Sequence, residues 1–249
     1  MSVSLRVLPA PDRVEWGPPE DGVFLICGDR ETLIFSLATR LVEVGWRVVV
    51  VHPSTAQAVA EDMFSPPNLP VVVLASDTEA EVQATLSEVT RVYGSISAFV
   101  YVSPHEDAVC DPFMLDPGCV ASLRLPFLLA KHLQPALTEA AREHRACFVT
   151  VTRTDGVLGT AGESGSNPMV GGLAGLTKTL RLEWPEVFCR AIDLGPALDD
   201  FRAVELLLTE LHDPNRLLAE VGVGSEARVT LEARTPIGAL RQTEEVACV

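Results

Sequence analysis

Apolar residues recur along this chain in two patterns that alternate. Short runs that are apolar at nearly every position occupy residues 23–27 (VFLIC), 47–51 (RVVVV), 70–75 (PVVVLA), 96–102 (ISAFVYV) and 147–151 (CFVTV). Runs of that length without polar alternation predict strands of a parallel sheet covered on both faces. Between them lie stretches with apolar residues at helical spacing: residues 31–44, where Leu33, Leu37, Leu41 and Val44 share a face, then 55–64, 79–93, 119–143 and 169–184. Gly45 supplies a helix stop, and Pro135 predicts a kink or break in the long 119–143 stretch. The pattern continues with strands at 188–194, at 217–223 and from Arg228, and a helix at 200–211. Six or seven strands with intervening helices predict one α/β domain built on a doubly wound parallel sheet.

This assigns residues 23–233 to the domain. Residues 1–22, proline-rich from Leu8 onward, read as a lead, a linker or a strap across the surface. Residues 234–249 show no periodicity and read as a linker or tail. No internal repeat or low-complexity tract interrupts the alternation.

Composition narrows the function classes. A chain of 249 residues with 47% apolar content fits one large core. A formal net charge of −15 without clustered Lys or Arg opposes nucleic-acid binding. Six scattered cysteines include no CxxC pair, and Cys27, Cys147 and Cys189 lie in apolar runs; a reduced, cytoplasmic protein is expected. The first 22 residues contain no apolar core of a signal peptide, and no run reaches membrane-spanning length. No metal is expected.

The segment GGLAGLTKTLRLEW (171–184) resembles a helix of the short-chain dehydrogenase/reductases. Together with DRVEWGPPEDGVFLI (12–26), CFVTVTRTDGVLG (147–159) and ELHDPNRLLAEVGVG (210–224), it resembles the ketoreductase region of polyunsaturated-fatty-acid-type polyketide synthases, over about residues 8–233. The resemblance implies a Rossmann-like fold and names the positions where chemistry would sit. The cofactor loop of these reductases reads TGxxxGxG; here Gly28 matches, while Thr32 and Ile34 stand at the other two glycines. A β-branched Ile blocks the close approach that a glycine permits, and Asp29 and Glu31 repel phosphates, with Arg30 offsetting part of that. The proton-donating tyrosine falls on Ser166, the lysine that tunes it on Val170, the serine on Arg153, and the further asparagine or lysine on Ser122. No catalytic residue and no cofactor are therefore expected.

Other residues offer chemistry beside a plainer reading. Tyr101 ends a strand where ligands bind in open α/β sheets, so it is either a substitute acid or a core or rim tyrosine. Lys178 reads as a solvated lysine, and His52 either helps select the nucleotide or simply ends its strand. Residues 103–107 (SPHED) and 162–166 (GESGS) superficially suggest a triad and a nucleophile elbow, but neither has the spacing or context those need.

Three functions stay open. The first is a non-catalytic, reductase-like structural domain of a synthase, supporting a catalytic reductase, another synthase domain or a second copy of itself. The second is an NADPH-dependent ketoreductase with relocated catalytic groups. The third is a ligand-sensing or carrier-docking module. On the first, the apolar helices at 119–137 and 169–182 are the expected partner faces.

Overall fold

The computed structural model describes residues 2–28, 31–53, 69–103, 117–161 and 170–234. The helix expected at 55–64, Asp29 and Arg30, residues 104–107, the 162–166 segment with Ser166, and the tail beyond 234 lie outside the described residues. Glu31, Ser122 and Val170 are placed as backbone positions.

The chain forms strands β1 (Ser2–Leu8), β2 (Gly22–Gly28), β3 (Arg47–Pro53), β4 (Val71–Leu74), β5 (Ser95–Val102), β6 (Cys147–Thr152), β7 (Phe188–Leu194), β8 (Glu220–Val223) and β9 (Arg228–Arg234). Among the described residues five helices alternate with them: α1 (Glu31–Glu43), α2 (Glu79–Tyr93), α3 (Pro117–Glu143), α4 (Val170–Glu183) and α5 (Asp200–Leu211). All nine strands make one sheet in the order β1-β9-β8-β7-β6-β5-β2-β3-β4. Strands β2 to β8 run parallel, and β9 and β1 close the far edge antiparallel. The sequence order reverses at β2, between β3 and β5, which is the switch point of a doubly wound sheet.

The continuous apolar runs are explained by cover on both faces. Every residue of β2 and β7 is buried. One face packs against α1 and α5 through Leu33, Ile34, Leu37, Val204 and Leu207. The other packs against α2, α3 and α4 through Val82, Leu86, Leu129, Leu133 and Leu173.

Two expectations change. Residues 2–8 are not part of a lead: β1 pairs with β9 along its whole length, from Ser2 opposite Arg234 to Leu8 opposite Arg228. The proline-rich segment after it is a strap, anchored by Trp16, whose indole N–H donates to the Arg145 carbonyl at 2.8 Å and whose ring packs edge-on to Trp46. Nor does Pro135 break the long helix. Pro126 and Pro135 both lie inside α3, where Leu128, Leu129, Leu133 and Leu137 are buried against the sheet. That burial offsets the cost, about 3 kcal/mol, of a proline in a helix interior.

At the end of the sheet where the parallel strands begin lies a buried charge network. Arg190, fully buried on β7, donates to Glu210 and Asp213 at 2.9 Å each, and Arg228 donates to the same two carboxylates at 2.5 Å each. The Arg190 guanidinium also donates to the Asn215 carbonyl and lies 4.6 Å from the centre of the Phe188 ring.

Candidate active-site crevice

At the carboxyl ends of the parallel strands, β2 ends on Gly28, and this position needs glycine. Its φ is +156°, and a Cβ would lie 2.5 Å from the Val102 carbonyl oxygen and 3.0 Å from Ile34 Cδ1. Ile34, in the first turn of α1, is 1% exposed and packs in the core on the α1 side of the sheet together with Val102. The isoleucine at the third glycine position thus fills the approach between helix and strand.

Thr32, at the second glycine position, donates its hydroxyl to Asp200 Oδ2 at 2.5 Å. Asp200 opens α5 and also accepts from Arg153 Nη1 at 2.7 Å. Arg153, directly after β6, further donates to the carbonyls of Leu198 and Pro196. Two of the positions that the resemblance singled out, far apart in sequence, therefore meet on one carboxylate. Asp200 itself carried no mark in the sequence. The signal that could have found it is an arginine in place of a serine, which needs an anion nearby.

The loop after β6 is held from below by a second carboxylate. Asp193, buried at the end of β7, accepts from the amides of Thr154, Gly156 and Leu158 and from the hydroxyls of Thr152 and Thr154, all at 2.6–3.2 Å. Burial pushes Asp193 up from the ordinary carboxylate value, and the neighbouring Asp155 adds to that. Burial would raise Asp155 too, but the amides of Ala161, Gly159 and Val157 outweigh it and hold it low. Gly156, at φ +73°, lets the loop pass within contact of Gly195.

The remaining candidates are spread out. Tyr101 is 3% exposed and belongs to the core beneath α2, α3 and α4. His52 is buried at the end of β3 with Nδ1 3.2 Å from the Pro53 carbonyl. Lys178, half-exposed on α4, donates to Glu220 at 2.8 Å. The backbone N–H of Ser103 donates to Val151 at 2.8 Å. Helix α4 is fixed to the sheet by a buried pair in which Thr150 donates to Thr177 at 2.8 Å, since the Thr177 proton goes to the Leu173 carbonyl. The catalytic tyrosine and lysine positions, Ser166 and Val170, precede and open this helix. Cys147 and Cys189 are buried thiols pushed up to about 12 by burial. Among the described residues no cluster of His, Cys, Asp or Glu suits a metal ion. Nor is any described helix long and apolar enough to cross a membrane.

Comparison with known structures places this geometry. The chain superimposes on a 3-ketoacyl-(acyl-carrier-protein) reductase from Brucella melitensis, solved with NADH, with a TM-score of 0.60 over 82% of this chain and 95% of that one, at 17% identity. A metagenomic short-chain oxidoreductase solved with NADP gives 0.60 over 82% and 96%, also at 17% identity. A short-chain dehydrogenase/reductase of Serratia marcescens gives 0.58 over 83% and 96%, at 13%. The fold is that of the short-chain dehydrogenase/reductases.

In sequence, the chain is 27% identical over 169 residues to a polyunsaturated fatty acid synthase polypeptide of Thraustochytrium sp.. The match covers 65% of this chain and 6% of that polypeptide, so the chain spans only a small part of the length of the relative it matches. No protein-family model matches it.

Proposed function

We propose that this is a non-catalytic, ketoreductase-like domain of a polyunsaturated fatty acid or polyketide synthase, cytoplasmic, which supports a catalytic reductase or another synthase domain and binds no nucleotide. The observation that carries the reading is Ile34, buried in the space between α1 and Gly28 that a glycine would leave open for close approach. A dinucleotide does not fit these residues, since the pyrophosphate has to come close to this turn. Three catalytic positions hold Arg153, Ser166 and Val170; an arginine cannot give up a proton near neutral pH, and a valine carries no charge.

The relocated active site draws no support from Tyr101, whose burial in the core keeps it from a substrate. The sensing or docking alternative has one observation in its favour, an open groove of about 420 Å³ between α5, β1 and the β8–β9 turn, lined by Leu8, Leu206, Arg202 and Arg228. One of its two arginines, Arg228, is already paired with Glu210 and Asp213.

The functional surface is then a face for a partner. Phe127 on α3 is 56% exposed and Leu182 on α4 is 78% exposed, one on each helix expected to carry that face. Titration with NADPH, followed by calorimetry, and assay with a small β-keto thioester test the reading. No binding and no turnover are expected. Micromolar binding with measurable turnover overturns it. Co-purification of the chain with the adjoining synthase segment, weakened by Phe127→Glu or Leu182→Glu, separates the structural role from the sensing one.

A further inference from the structure

Resting on the reading that no nucleotide binds, the crevice raises a question of charge: what takes the place of the phosphates? In a doubly wound fold they lie at the N-terminus of the first helix, outside the carboxyl ends of the strands at the switch point. Here Thr32, the second residue of α1, directs its hydroxyl to the Asp200 carboxylate. The other oxygen of that carboxylate takes the Arg153 guanidinium at the end of β6. Asp200 is not needed to cap its own helix, because Asp199 accepts from the Arg202 amide at 2.8 Å. Arg153 also reaches the carbonyls of Leu198 and Pro196, so the β7–α5 loop is drawn into the same contact. Three elements that a dinucleotide would bridge are joined by one side chain.

We propose that Asp200 is a resident anion that stands in for the dinucleotide's phosphates, stapling the first turn of α1, the end of β6 and the start of α5 across the crevice. The pairing gives each substitution a meaning. An arginine for the serine supplies the cation, a threonine for the glycine supplies a hydroxyl donor, and the aspartate supplies the charge that the cofactor would otherwise bring. The domain closes its own crevice and needs no ligand to order these loops.

Thermal melting of the whole chain, alone and with millimolar inorganic pyrophosphate, tests the staple. Wild type is expected to melt at the same temperature with and without pyrophosphate. Asp200→Ala is expected to melt roughly 5 °C lower, and pyrophosphate to restore part of that loss by binding Arg153 in the vacated place. Arg153→Ala is expected to fall by a similar amount and not to be restored, because the cation that would hold the anion is gone. An Asp200→Ala protein that melts as wild type overturns the proposal, and so does pyrophosphate that raises wild type as much as the variant. If Asp200→Ala does not fold, Asp200→Asn, which keeps an acceptor for Thr32 and drops the charge, takes its place with the same expectations. Melting and turnover are separate readouts: an active wild-type enzyme removes the non-catalytic reading, whereas an inert protein indifferent to Asp200 removes only the staple.

Discussion

Helix α5 carries a charge network at each end, and the two are built differently. At its C-terminal end Glu210 and Asp213 face Arg190 and Arg228, with side chains 2%, 3%, 0% and 10% exposed. At its N-terminal end Asp200 faces Arg153, 30% and 14% exposed, with the Thr32 hydroxyl as a third member. The buried network is balanced, two cations against two anions, because desolvated charges left unpaired are costly. The crevice network is partly wet, and it lies where a reductase would bind and react. The difference separates a dry network, whose members must balance one another, from a wetter one that lies in the crevice.

The sharpest break of this contrast is Arg190→Met. Removing one partner from the dry end leaves Glu210 and Asp213 to share Arg228 alone, with an expected loss of about 3–5 kcal/mol in urea unfolding. A loss under about 1 kcal/mol would put the two networks on the same footing. At the wet end, a double-mutant cycle on Arg153→Ala and Asp200→Ala is expected to give a coupling of about 0.5–3 kcal/mol. A coupling near zero would leave the two side chains as neighbours without a shared energy.

Acid pH sharpens the comparison by sign. Burial would raise Asp213, but the Asn215 amide and the Arg190 and Arg228 guanidiniums outweigh it and hold the carboxyl below its ordinary value of 3.8. A carboxylate depressed in the folded state adds stability above its unfolded value and loses it as pH falls through the folded one. Asp193, raised chiefly by burial, has the opposite sign: its contribution is present below 3.8 and is lost as pH rises. Stability of wild type is thus expected to fall below about pH 4 through Asp213, and Asp213→Asn to flatten that limb. An unchanged slope in pH-dependent unfolding would move the acid sensitivity elsewhere. The smallest effect is expected from Leu182→Glu, which removes exposed apolar area from α4 and is expected to change the stability of the isolated chain by no more than about 0.5 kcal/mol.

How much of this could be read in the sequence depended on how local the signal was. The runs at 23–27, 47–51, 96–102 and 147–151 became β2, β3, β5 and β6 because burial on both faces imposes a continuous apolar pattern within a few residues. Strand β1 escaped because its apolar residues Val3, Leu5 and Val7 alternate with Ser4 and Arg6, and its partner β9 lies more than two hundred residues away. Arg190 sits in a strand whose other residues, Asp193 apart, are apolar, and nothing beside it announces Glu210, Asp213 and Arg228. In the crevice, alignment to the reductase motif flagged Thr32, Ile34 and Arg153 as departures. That two of them converge on Asp200 is a property of the β2–α1, β6 and β7–α5 junctions in space, which no spacing along the chain encodes.

The pairing of β1 with β9 sets Ser2 directly across from Arg234 on neighbouring strands, a few ångströms apart. A force pulling those two residues apart would therefore unzip the β1–β9 ladder one pair at a time before it reached the parallel strands.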